Sequence, residues 1–247
     1  MELLAPLLPI AALLAAGAAF GWLVLRSRAQ RRKAAADPRI KVESLTDATS
    51  IAADGSVLSV QTGDVWIPEA DLRALWTPEN LERLARTYWS HMTKASGYML
   101  RILYTPTGRA IALFGLFPLI TFREPEYQLG EERAAVRWSI RNGLLVSRQG
   151  RGRGGYLQIE VARRVSDRPG SARLHVEVSI ANFYPSIAQS ISRRLYSATQ
   201  SRIHVLVAYG FLRSLANNQL VPSKVGRFAQ WPKQLGERRD ARAATKR

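Results

Sequence analysis

Gly150-Arg151-Gly152-Arg153-Gly154-Gly155 concentrates glycine and cationic charge in six residues. Such a run can cradle phosphate through backbone N–H groups, but two forms of that chemistry do not fit. A strand pattern follows rather than a helix, so the run is no dinucleotide fingerprint. The Lys-Ser/Thr ending of a P-loop is missing. The run reads as a hairpin tip with solvated arginines; contact with acidic lipid headgroups, and then with nucleic acid, are the alternatives. His91, His175 and His204 fall in a helix, a strand and the last helix, none with a second His or a Cys at metal-ligand spacing. No metal and no cofactor is expected. Gln200 precedes His204 by four residues on one helix face, so the two can line a cavity and bond a ligand. Glu124 and Glu126 flank Pro125; paired carboxylates can serve acid–base chemistry, and a solvated turn before Tyr127 is the simpler reading. Asn182-Phe183-Tyr184-Pro185 marks a strand-to-helix corner. The serines have no nucleophile elbow and no His-Asp partners in a recognisable order. No reaction follows from these residues, and the chain is read as a non-enzyme.

The elements that would position them are legible in the periodicity. Val42 to Val65 carries turn signals at Asp54-Gly55 and Gly63-Asp64 around the alternation Val57, Leu58, Val60, which predicts a small hairpin. Pro68, Glu69 and Asp71 open a short helix through Trp76. Thr77-Pro78-Glu79-Asn80 supplies an N-cap, a proline at N1 and a first-turn acid. Leu81, Leu84, Ala85, Tyr88, Trp89 and Met92 follow at helical spacing, and Gly97 ends the helix. From Tyr98 to Phe183 the period is two. Strands are expected at Met99–Tyr104, Ala110–Phe122 (interrupted at Gly115 and Pro118), Ala135–Ile140, Leu144–Arg148, Tyr156–Val161 and Leu174–Ile180. Arg141-Asn142-Gly143 is the strongest hairpin signal. A helix of about 30 residues follows from Pro185 to a stop at Asn217-Asn218. Short consecutive strands make an antiparallel meander, and the apolar stripe of the last helix needs its face.

Residues Leu3 to Leu25 are uncharged and almost wholly apolar, and Arg26, Arg28, Arg31, Arg32 and Lys33 follow at once. About 23 such residues span roughly 35 Å as helix, enough for a bilayer core of about 30 Å. Positive charge lies after the run and not before it, which argues against a cleaved signal peptide. The positive-inside rule then places the N-terminus outside and the rest in the cytosol, next to the inner membrane it spans once. The absence of cysteine suits a reducing compartment. The formal charge of +17 is concentrated in the flanks. Residues 26–41 hold seven basic residues and one acid, and residues 224–247 hold eight and two. Anionic headgroups are the expected partner of the first flank, in preference to nucleic acid. The expected organisation is an anchor at 1–25, a basic juxtamembrane linker at 26–41, a cytosolic α+β domain at 42–220 and a basic, structureless tail at 221–247.

The order helix pair, antiparallel meander, long final helix resembles the START-like (SRPBCC, helix-grip) superfamily. Trp76-Thr77-Pro78-Glu79-Asn80, Arg141-Asn142-Gly143-Leu144-Leu145-Val146 and Thr199-Gln200-Ser201-Arg202-Ile203-His204 also resemble segments of membrane-anchored bacterial proteins of that kind. The resemblance covers roughly residues 65 to 220, and it implies a hydrophobic cavity between sheet and helix without implying a chemistry. The expected function is a membrane-anchored domain binding a hydrophobic or lipid-like ligand, lined by Phe114, Trp138, Tyr156, Tyr196, Gln200 and His204. The alternative is a tethered adaptor with a filled core. One departure is the weak first strand, unless Val57 to Val60 supplies it.

Overall fold

The structure is a computed structural model that describes residues 38–41, 49–105, 107–185 and 207–222, with isolated positions at 25, 29 and 32. The strands are β1 (Ile40–Lys41), β2 (Thr49–Ile51), β3 (Val57–Pro68), β4 (Leu100–Thr105), β5 (Gly108–Leu113), β6 (Phe117–Arg123), β7 (Glu126–Leu129), β8 (Arg133–Asn142), β9 (Tyr156–Arg164) and β10 (Ser171–Phe183). Two helices, α1 (Glu69–Leu75) and α2 (Pro78–Ala95), sit between β3 and β4. Residues 207–216 are helical and are called α3. Among the described residues the strands form one sheet, in the order β1-β3-β10-β9-β8-β6-β5-β4, with β2 beside β3 and β7 beside β8. The pairings are antiparallel throughout. The fold is α+β and helix-grip-like.

Local chemistry explains the helix pair. Thr77 Oγ1 accepts the Asn80 N–H at 3.2 Å, and Pro78 takes the N1 position where it lacks no bond. The buried stripe of α2 is the one its spacing predicts, and it adds Thr87 and Glu82. Each large apolar side chain buried there contributes about 1.5–3 kcal/mol. Trp89 stacks edge-on against Trp138 of β8 at 5.0 Å, and Tyr88 meets Phe211 of α3 at 5.8 Å. These contacts clamp α2 and α3 to one face of the sheet, the inner face. Gly210 makes the helix crossing close: a Cβ there would stand 2.5 Å from His91 Nδ1.

Three expectations are corrected. Gly63-Asp64 is no turn. Both residues lie inside the twelve-residue β3, which pairs continuously with β10 from Pro68 to Ser59. Asp64 is wholly buried because Arg173 and His175 neutralise it there, so its charge does not force a loop. Val57 to Val60 thus does open the first long strand. Nor does Asn142-Gly143 close a hairpin. The chain leaves β8, and the Leu144 and Leu145 N–H groups bond to Pro118 and Leu119 of β6 at 3.1 and 2.9 Å. A Cβ at Gly143 would lie 2.2 Å from the Leu119 carbonyl, so close backbone approach is what requires glycine here. Leu144–Arg148 is consequently no strand; Val146 makes a lone bridge to Pro185, and a 3-10 turn spans Arg148–Gly150.

The Asn217-Asn218 stop appears where expected, with Asn218 at φ 52°. The apolar run Leu3–Leu25 (save position 25), the basic tail and the first two-thirds of the long last helix lie outside the described residues. Among the described residues no helix is long and apolar enough to cross a membrane.

Candidate functional site

Registry alone builds an apolar floor on the inner face. Ile102 of β4 pairs with Ile111 of β5, which pairs with Ile120 of β6. Ile140 of β8 stands opposite Phe122, and Ile180 of β10 stands opposite Leu157, itself opposite Trp138. Residues paired across antiparallel strands share a face, as do residues two apart in one strand. Ile111 is buried, but Ile102, Ile120, Ile140 and Ile180 are only partly so. All four pack against the main core cluster, and Ile120, Ile140 and Ile180 also against Val57, Val146 and Phe183.

Around α2 the packing is tight. Trp89, Phe122 and Trp138 form one aromatic block, and both indole Nε1–H groups are buried without an acceptor. A buried donor left unpaired costs about 1–3 kcal/mol. A small apolar void of about 30 Å³ lies under α1, α2 and α3, between Leu81, Leu84, Val161, Leu174, Leu215 and Leu220. That is room for about one water molecule and for no lipid.

Of the sequence-predicted lining residues, the three that are described, Phe114, Trp138 and Tyr156, do not share one space. Trp138 is on the inner face, 1% exposed, in the filled block. Tyr156 pairs with Ser139 and so faces the opposite side of the sheet, where the Arg137 guanidinium lies 3.6 Å from its ring centre. Phe114 is at the β5–β6 turn, 56% exposed, at φ 53°. Tyr196, Gln200 and His204 lie outside the described residues, as do Arg26, Arg28, Arg31 and Lys33; Arg32 is helical and exposed. What sequence reasoning missed is the isoleucine row. Its signal was the alternation Leu100, Ile102, Tyr104 and its partners, legible once registry is known.

Titratable groups cluster elsewhere. On the outer face Asp64 accepts from His175 Nδ1 at 2.9 Å and from Arg173. Burial pushes the Asp64 carboxyl up, but those two donors and their charge outweigh it and hold it below the usual range. His91 faces Ser214 of α3 at 2.9 Å, and burial, helped by Lys94, lowers its pKa to about 4. Asp54, bonded by the Tyr184 hydroxyl and the Ser56 N–H, is lowered to about 2. Glu124 and Glu126 do not pair on a common face site; Glu126 belongs to β7 and its side chain is exposed. Among the described residues no group of three His, Asp or Glu could hold a metal ion.

No protein-family model matches the sequence, and no curated protein matches it. Solved structures similar to it include human StAR-related lipid transfer protein 5, at 10% identity and a TM-score of 0.35 over 78% of this chain and 96% of that one. Norcoclaurine synthase from Thalictrum flavum, in complex with dopamine and hydroxybenzaldehyde, is 15% identical at a TM-score of 0.31 over 62% and 88%. DR_A0006 from Deinococcus radiodurans is 15% identical at 0.31 over 65% and 99%. Likeness at this level carries no argument about function.

Proposed function

We propose that the chain is a single-pass, membrane-anchored protein whose cytosolic domain binds a hydrophobic or lipid-like ligand without transforming it. The observation that supports the reading is the row Ile102, Ile120, Ile140 and Ile180. Four strands present aliphatic side chains on one face, each only partly buried. A floor of this kind suits an acyl chain or a flat hydrocarbon, since it offers contact area and no hydrogen bond. The anchor rests on the Leu3–Leu25 run and its basic flank.

Mass spectrometry of lipids retained by the purified full-length chain tests the reading. A near-stoichiometric apolar compound is expected, reduced several-fold by Ile120→Asn in a variant of unchanged circular dichroism. A preparation free of apolar compounds, and unable to take up a fluorescent fatty acid, overturns it. A second reading, a tethered adaptor with a filled core, is favoured by the tight Trp89–Phe122–Trp138 block. It predicts no bound ligand and a captured protein that survives Ile120→Asn.

A further inference from the structure

One end of the sheet gathers exposed apolar tips from three connections. Tyr98 and Met99 precede β4, Phe114 and Leu116 form the β5–β6 turn with Phe117 just beyond, and Leu144 follows β8. Tyr98 is 60% exposed, Phe114 56%, Leu116 74%, Phe117 54% and Leu144 60%. They are one patch, because the Phe114 N–H bonds to the Met99 carbonyl at 2.7 Å and the Leu144 N–H to that of Pro118 at 3.1 Å. Tyr98 and Phe114 sit at φ 66° and 53°, a conformation that residues with a side chain rarely adopt. Local hydrogen bonds set both: Leu116 N–H to the Leu113 carbonyl closes the β5–β6 turn, and Tyr98 N–H to the Thr93 carbonyl caps α2. What points to a contact outside the molecule is that these turns hold several large apolar side chains together in solvent.

Charge says which contact. No Asp or Glu occurs between Glu82 and Glu124 or between Glu132 and Glu160, while twelve Arg or Lys do. Lys94, Arg101, Arg141, Arg148, Arg151 and Arg153 are exposed at or near this end, and the Arg101 stem lies against the Gly115 turn. Asp54, the acid found here among the described residues, is already engaged by Tyr184. Glu69, Glu124, Glu131, Glu132 and Asp167 lie at the opposite end. Apolar tips ringed by six exposed cations against one acid, Asp54, match the acyl boundary and headgroups of an anionic bilayer.

We infer that the end of the sheet formed by Tyr98–Met99, Phe114–Phe117 and Leu144 docks into the surface of an anionic membrane. This is a second contact, distinct from the N-terminal anchor, and it does not depend on whether the isoleucine floor holds a ligand. Docked so, the domain rests with the Gly150–Gly155 arginines on the headgroups.

The absence of cysteine makes the test direct. Leu116→Cys and, at the opposite end, Val165→Cys (Val165 is 92% exposed) are labelled with an environment-sensitive dye in the full-length chain. Each is measured with phosphatidylcholine vesicles and with vesicles carrying phosphatidylglycerol, with and without acyl-chain quenchers. Blue-shifted emission and several-fold stronger quenching at 116 than at 165, in the anionic vesicles, is the expected result. It should be lost in Arg101→Glu/Arg141→Glu, both exposed sites. Equal, water-like emission at the two positions overturns the inference. So does a blue shift at 116 that appears without vesicles and grows with protein concentration, which would assign the patch to a second copy.

Discussion

His91 is the residue whose ionisation the fold most clearly opposes. It lies between α2 and α3, bonded to Ser214, with Gly210 opening the space for its ring. Its folded pKa of about 4 is below the unfolded value of 6.5, so the unfolded chain binds the proton first. The stability it contributes is complete above pH 6.5 and is lost as pH falls towards 4. A shift of this size corresponds to at most about 3 kcal/mol. Urea denaturation at pH 7 and pH 5 should show the loss, and His91→Gln, which keeps a partner for Ser214, should remove this part of the pH dependence. Asp64 acts in a lower window. Its depressed carboxyl pKa means that its contribution is present above the ordinary carboxylate range and is lost as pH falls below it. Asp64→Asn leaves Arg173 without its counter-charge, and because the Arg173 side chain is 31% exposed the cost is that of one charge-assisted hydrogen bond, about 1.5–3 kcal/mol. Thermal denaturation at pH 7 measures that loss.

Glycines separate the two roles that loops play among the elements. Gly143 lies against the Leu119 backbone, which cannot yield as a side-chain tip can. Gly143→Ala should therefore destabilise by more than about 2 kcal/mol, through forced separation of the Leu144 segment from β6. Gly152 has φ 78° and open space around the missing Cβ, so Gly152→Ala should cost only about 1 kcal/mol, the left-handed penalty. Chemical denaturation of the two variants tests the contrast. The same contrast explains what the sequence could and could not convey. The Thr77 cap, the α2 stripe and the period of two at Leu100–Tyr104, Ala135–Ile140, Tyr156–Val161 and Leu174–Ile180 are local signals, and they appear in the fold as read. Asn142-Gly143 carried a local signal too, but the backbone of Leu119, far from it in sequence, decides what that glycine does. Asp64 was hidden for a similar reason: its partners Arg173 and His175 are more than a hundred residues distant. The isoleucine floor needs registry across β4, β5, β6, β8 and β10, which no single segment contains. Choosing Trp138 and Tyr156 together as lining missed this, since registry puts them on opposite faces.

For the whole molecule, the distribution of charge is the feature that ties the parts together. The two flanks, 26–41 and 224–247, each carry a strong excess of cations. The described domain adds an acid-free sheet half whose apolar tips lie at one end. If the Leu3–Leu25 run spans the bilayer, the flank after it fixes the orientation, because Lys and Arg are retained on the cytosolic side. The domain and tail then meet the leaflet that holds the anionic surface potential, where each basic residue near the headgroups is worth about 1 kcal/mol. An outward orientation would place the same cations away from that potential and leave the patch around Leu116 without its partner. Protease treatment of sealed vesicles distinguishes the two. A C-terminal epitope should be digested in inside-out vesicles and protected in right-side-out ones. The protection should persist at high salt, since it depends on the bilayer rather than on ion pairing. Digestion from the outside of right-side-out vesicles would reverse the orientation, and with it the assignment of the basic flank to the cytosolic leaflet.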